Sequence, residues 1–257
     1  MSEHAASRIY TFHLAKPGPL TVARSLVRPP GPGSVVGLRY AECLMPMQLG
    51  APMLAPSRWR IGRLAMFASW SDEAAVDAFL DETPLGRSLA EGWHVRLAFL
   101  RRWGQVAALD GLPVEGRETK PDEPVVAVTL ARLRILQVPR FLRWGKPVEA
   151  LVRDHPGQTL ALAATRPVGT IATFSVWRSA QEMIGMVRGQ SDDVPGPERH
   201  SVAMVERQRK GFHREFITLR FTCLGEYGAW EGRSSIVPGV GSEASHGPSR
   251  ETRDGTE

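Results

Sequence analysis

The stretch PGPERHSVAMVERQRKGFH carries two of the chain's seven histidines. His200, Ala203, Met204 and Arg207 fall on one stripe at helical spacing, and Pro197 suits the first turn of a helix. A neutral imidazole on a partly apolar helix face can ligate a haem iron. It can equally be a boundary histidine bonded to water or a carboxylate, and spacing leaves both readings open. His213 opens an apolar strand beside Phe212 and offers the same choice. Its expected counterpart, His94 in Gly92-Trp93-His94, argues that this position serves sheet architecture. His13 reads as a half-buried strand residue, His155 as part of a DHPG turn, and His4 and His246 as terminal. Trp70 and Trp177 end strand-like runs, where bulky aromatics fill volume; Trp177 can also edge a pocket.

Other chemistry finds little support. The sequence has no nucleophile elbow, P-loop, dinucleotide fingerprint or HExxH. Its two cysteines, Cys43 and Cys223, cannot build a metal cage and read as a reduced pair. The net charge is +5, but basic and aromatic residues do not interleave as in nucleic-acid modules, so no nucleic-acid partner is expected.

The elements that must position these residues are written twice. IGRLAMFASWSDEAAV, from Ile61, aligns without a gap on VGTIATFSVWRSAQEM, from Val168. Gly62, Ala65, Phe67 and Trp70 fall on Gly169, Ala172, Phe174 and Trp177. Each run predicts a strand, then a helix capped by Asp72 or by Ser179, the latter with Glu182 completing a capping box. Val76, Phe79 and Leu80 match Met183, Met186 and Val187, the i, i+3, i+4 face of an amphipathic helix. Upstream, Leu20, Val22, Arg24 and Leu26 match Leu136, Val138, Arg140 and Leu142. Each half therefore reads βαββαβ, the ferredoxin-like order. The fold class is α+β: two tandem ferredoxin-like repeats packed as an α+β barrel within one chain.

The expected boundaries are residues 1–109 for the first repeat, 110–124 for a linker rich in Gly, Pro and charge, 125–232 for the second repeat and 233–257 for a disordered tail. The long apolar stretch MPMQLGAPMLAPS, Met45–Ser57, reads as a binding lid or as a plain crossing. RLRILQVPRFLRWGK, residues 132–146, is basic and amphipathic, and suits a peripheral membrane contact or a core-facing helix with solvated arginines. No apolar run reaches the roughly eighteen residues a membrane span needs. The N-terminus shows no basic start followed by an apolar core, so no secretory signal is expected and the location reads as cytoplasmic.

Three stretches together resemble the spheroidene monooxygenase family: ASWSDEAAVDAFLDETPLGRSLAEGWHVRLAFLRRWG, RPVGTIATFSVWRS, and HSVAMVERQRKGFHREFITLRF. The most specific parts are the FSxW strand and the pattern Phe212, Glu215, Arg220, Phe221; the closing GAWEG also fits. The resemblance spans roughly residues 8 to 232. It implies a haem-dependent monooxygenase of a hydrophobic substrate (a carotenoid or other isoprenoid or lipid), using molecular oxygen and a ferredoxin electron donor. On that reading His200, or else His213, holds the iron in a second-half pocket between helix and sheet. Arg166 or Arg220 would donate to bound oxygen or pair with a propionate. The alternative is a non-catalytic barrel that binds haem or an apolar ligand.

Overall fold

The computed structural model describes residues 8–49, 51, 55–109, 111–133, 153–166, 169–188 and 213–243. The first half runs β1 (Ile9–Ala15), α1 (Pro19–Val27), β2 (Leu38–Met47), β3 (Leu64–Trp70), α2 (Glu73–Glu82), α3 (Pro84–Ala90) and β4 (Trp93–Gln105). The second half runs β5 (Val125–Leu133), β6 (Gln158–Arg166), β7 (Thr170–Trp177), α4 (Ala180–Arg188) and β8 (His213–Tyr227), with a short β9 (Ser242–Glu243) after it. The expected short helix over 136–142, the rest of the basic stretch past Leu133, and His200 lie outside the described residues.

The repeat sets the topology. Strand order is β4-β1-β3-β2-β6-β7-β5-β8-β9, and β4 also pairs with β8. Eight antiparallel strands thus close into a barrel, each half contributing the ferredoxin-like order of four. Closure leaves no open edge between the halves. The seams are related by a pseudo-twofold. At one, Met45 pairs with Thr165; at the other, Ala98 pairs with Thr222, flanked on both sides by a register shift.

Alternation along the strands divides the core in two. Side chains pointing inward (Tyr10, Phe12, Leu14, Phe67, Trp93, Leu97, Val126, Val128, Phe174, Ile217, Leu219 and Phe221 among them) fill the barrel. Phe12 and Phe174 stack across it at 3.7 Å between ring centroids. Each buried aromatic is worth on the order of 2 kcal/mol in area terms. The outward faces meet the helices. Val76, Phe79 and Leu80 of α2 pack with Leu89 of α3 on Leu38, Leu64, Met66 and Trp70. Asp72 accepts from the amide of Ala75, and Ser179 Oγ accepts from the amide of Glu182, which is one side of the expected capping box; the Glu182 carboxylate takes the Ser179 hydroxyl proton instead of reaching back to its backbone N–H. On α4, Met183 and Met186 are buried, but Val187 is 42 % exposed, so the matched face is narrower there.

Three expectations need correction. β2 extends to Met47, and Met45–Met47 pair with β6 at the seam, so the start of the supposed lid is sheet. Met47 and Leu49 pack on Ala163 with Trp59 and Ala161. Second, the chain after Arg233 is docked as far as residue 243. Ile236 and Val237 are 2 % and 1 % exposed, and their amides donate to Glu226. Their few apolar side chains suffice because they close one end of the barrel beside a buried acceptor. Third, His94 is not the structural counterpart of His213. The registers of β1 with β4 and of β5 with β8 put His94 level with Thr218. β8 begins earlier than β4 relative to its partner, and the Gly-aromatic-His similarity misled the alignment.

Candidate functional site

The registers allow the two outward faces to be compared position by position. In the first half, one row crosses the sheet through Cys43, Met66, His13 and His94 and ends at Tyr227. In the second half the same row reads Ala163, Thr173, Thr129 and Thr218 and ends at Trp103. The first row is packed: Cys43 and Met66 lie in the helix-facing core, and His13 and His94 are 0 % and 3 % exposed. The second row is small and hydroxylated. Thr129 and Thr218 share a hydrogen bond at 3.1 Å, and Thr173 is exposed. Among the described residues the core under α4 comprises Trp177, Val125, Leu100, Ala180, Met183 and Met186. The strand residues of this row are therefore small and hydroxylated in the second half where they are large in the first.

Arg220 sits at the edge of that face. It occupies the position that Arg96 has in the first half, since each follows its row residue by two along the strand. Arg96 lies over the ring of Tyr227 and pairs with Glu73 and Asp77 of α2. Arg220 lies over Trp103 at 4.9 Å, with Arg101 at 4.9 Å from the same ring. Among the described residues no carboxylate pairs with Arg220, and its Nε is buried without an acceptor. Burial, with Arg101 nearby, lowers its pKa to about 10. A half-buried cation with no counter-charge among the described residues, beside hydroxyls and an indole, can pair with an anionic group.

Arg166 is elsewhere. It points into the barrel at one end, where its Nε lies 2.9 Å from Oε1 of Glu42, itself 2 % exposed. Tyr40 donates to the other oxygen of Glu42 at 2.9 Å. Burial raises the pKa of Glu42 while the Arg166 cation and the Tyr40 hydrogen bond oppose it. Burial and the adjacent Glu42 carboxylate push the Tyr40 hydroxyl up. Close by, Arg132 pairs with Glu215 at 2.7 Å. Thus Arg166 and Arg220, named together from sequence, lie on opposite faces of the sheet. Trp177 is 1 % exposed; its Nε1 donates to Ser175, and it packs in the core under α4. It fills volume, as its counterpart Trp70 does while donating to Thr11. His213 opens β8, its Cα paired with that of Leu133.

Sequence reasoning missed Thr129, Thr218 and Trp103. The signal was present as a contrast, because Met66 aligns on Thr173 inside the gapless repeat. Aligning β8 by register instead of by its histidine would have exposed the remainder.

The GAWEG motif has a mechanical role. Gly228 has φ 73°, and a Cβ there would meet the carbonyl oxygen of Gly92 at 2.0 Å. The turn carries Glu231 to Arg60 and Arg63 of the first half, while Arg63 stacks on Trp230. The motif clasps the end of β8 to the β2–β3 connection.

Comparison with known proteins fits this architecture. The chain is 30 % identical over 200 residues to the spheroidene monooxygenase of Rubrivivax gelatinosus, covering 77 % of this chain and 73 % of that one. It is 29 % identical over 143 residues to the spheroidene monooxygenase of Rhodobacter capsulatus, 54 % of each chain. No protein-family model matches. Among solved structures, an aldoxime dehydratase in complex with butyraldoxime superposes with a TM-score of 0.55 at 10 % identity, over 86 % of this chain and 81 % of that one. Another aldoxime dehydratase gives 0.50 at 10 % identity, over 87 % and 83 %. At such identities the likeness is one of fold.

Proposed function

This chain belongs to the spheroidene monooxygenase family, and on that premise we propose that it is a haem-dependent monooxygenase of a hydrophobic, carotenoid- or isoprenoid-like substrate. Membership makes it an oxygenase-type enzyme. The observation that supports the cofactor is the contrast between the two outward faces: packed by Met66, His13 and His94 in the first half, and small and hydroxylated at Thr173, Thr129 and Thr218 in the second. A planar group with anionic substituents suits that face, and Arg220 supplies the matching cation.

When bound, haem would supply the activation of molecular oxygen, which protein side chains cannot provide. The chain's own residues would orient and shelter it. Arg220 would hold a propionate, with its guanidinium kept in place by Trp103. The threonine hydroxyls would donate or accept at the edge of the ring. His200 would hold the iron, with His213 its rival, and reduced ferredoxin is the proposed electron donor. Arg166, engaged with Glu42 inside the barrel, has no part in this site. An apolar ligand inside the barrel has little support, because aromatic side chains fill that space.

The test is reconstitution of the purified protein with haemin, read as Soret absorbance per protein. The wild type is expected to take up haem. His200→Ala should lose it while His213→Ala keeps it, with circular dichroism unchanged in both. A wild type that takes up none removes the cofactor from the proposal. Loss in His213→Ala alone would move the ligand to the strand.

A further inference from the structure

Helix α1 turns the wrong side outward for a solvated helix. Leu20 is 86 % exposed and Val27 77 %, and they share with Ala23 and Arg24 the i, i+3, i+4, i+7 stripe that faces away from the sheet. Val22 and Ser25 are the helix's buried residues. The connection that follows is pinned by Pro29, Pro30 and Pro32 and by hydrogen bonds between Gly31 and Ser34. It buries part of Val35 in the core and leaves Val36 92 % exposed. Three aliphatic side chains on one short segment are thus presented to the outside.

The charge on this segment has one sign. Lys16, Arg24, Arg28 and Arg39 are all exposed, and no Asp or Glu occurs from Lys16 to Ala41. Among the described residues Arg24 and Arg28 form no ion pair. The opposite composition is found on α2 and its N-cap, where Asp72, Glu73, Asp77, Asp81 and Glu82 are exposed. Solvation alone does not require such segregation. A surface that mixes exposed aliphatics with cations, of which Arg24 and Arg28 have no ion-pair partner among the described residues, is complementary to lipid headgroups that are anionic above an apolar layer.

We propose that α1 and the connection to β2 form a docking face for an anionic lipid bilayer, held by the cations and by shallow insertion of Leu20, Val27 and Val36. The contact is peripheral: no helix among the described residues is long and apolar enough to cross a membrane. The face is confined to α1 and its connection, since α2 would be repelled by the same surface. β2 beneath it joins β6, and β6 joins β7, so the docked flank borders the second half's outward face. This inference stands on exposure and charge and does not depend on bound haem.

The test is sedimentation of the full chain with vesicles of phosphatidylcholine alone or with about one-third phosphatidylglycerol, at low and high salt. The wild type should bind the anionic vesicles and release them in salt. Leu20→Glu/Val27→Glu, at exposed positions that leave the core intact, should weaken binding by about tenfold or more, and Arg24→Gln/Arg28→Gln by a similar factor. Circular dichroism and melting temperature should match the wild type in both. Absence of wild-type binding, or binding unchanged in both variants, overturns the proposal. So does wild-type self-association in solution that the Leu20→Glu/Val27→Glu variant abolishes, because the face would then be an interface between copies.

Discussion

His13 and His94 stack 5.0 Å apart, paired across β1 and β4, at the register where the second half pairs Thr129 with Thr218. Among the described residues none of their four ring nitrogens has a hydrogen-bond partner. Around them lie Met66 on β3, Tyr227 on β8, Arg96 on β4 and Asp77 on α2. Burial, then the Arg96 cation, lowers His94 to about 4, while Asp77 opposes; burial, then His94 and Arg96, lowers His13 well below its ordinary value.

A lowered histidine pKa makes the folded state bind fewer protons than the unfolded one. The stability tied to His94 is whole above about pH 6.5 and is lost as pH falls toward about 4, on the order of 3 kcal/mol in all. Replacing the pair with the second half's own solution, His13→Thr/His94→Thr, should flatten the melting temperature between those limits. A variant as acid-sensitive as the wild type would place the effect on other groups.

Arg220→Ala should reduce haem retention while leaving the fold intact, because the side chain is half-buried and its removal leaves no carboxylate orphaned among the described residues. Arg220→Lys should recover part of it, a point charge replacing a fork. Haem uptake equal to wild type in Arg220→Ala would remove this residue from the site.

Arg166→Ala should do the opposite. It leaves the Glu42 carboxylate buried without its cation, which costs about 3 kcal/mol or more. Arg166→Ala/Glu42→Gln should recover part of that loss. Haem uptake per folded protein should not change. Denaturant titration and Soret absorbance separate the two arginines' roles.

Truncation after Gly232 should lower the melting temperature by several degrees, since it exposes the end of the barrel and strips Glu226 of two backbone donors. Glu226→Ala should resemble it, since it also orphans the indole N–H of Trp93. An unchanged melting temperature in both would show that this closure carries no stability.

The fold was legible because the repeat wrote the same strand, cap and helix twice. Phe67 on Phe174 and Trp70 on Trp177 carry enough bulk at matched spacing to fix two strands. The site was less legible because its feature is a difference between repeats. Thr129 and Thr218 are ordinary strand residues until set beside His13 and His94, and that needs the register of β8. Arg166 and Arg220 read alike in sequence; only strand parity tells that one faces the barrel and the other the helices. The tail's burial hung on Glu226, a lone carboxylate that no local pattern marks as an acceptor for amides at 236 and 237.

The β4–β8 seam joins positions as far apart as Trp93 and Glu226, 133 residues along the chain. Such a closure carries a large loop entropy, so the barrel is set to shut late and slowly, after each half has formed its own sheet. Until then the two halves expose edges that are near copies of one another. A strand of one molecule can then meet the matching edge of a second, and the same seam that makes the monomer would make a domain-swapped dimer. Fusing the repeats into one chain keeps the correct partner at high effective concentration, so refolding yield should fall as protein concentration rises, even though the native barrel needs no second copy.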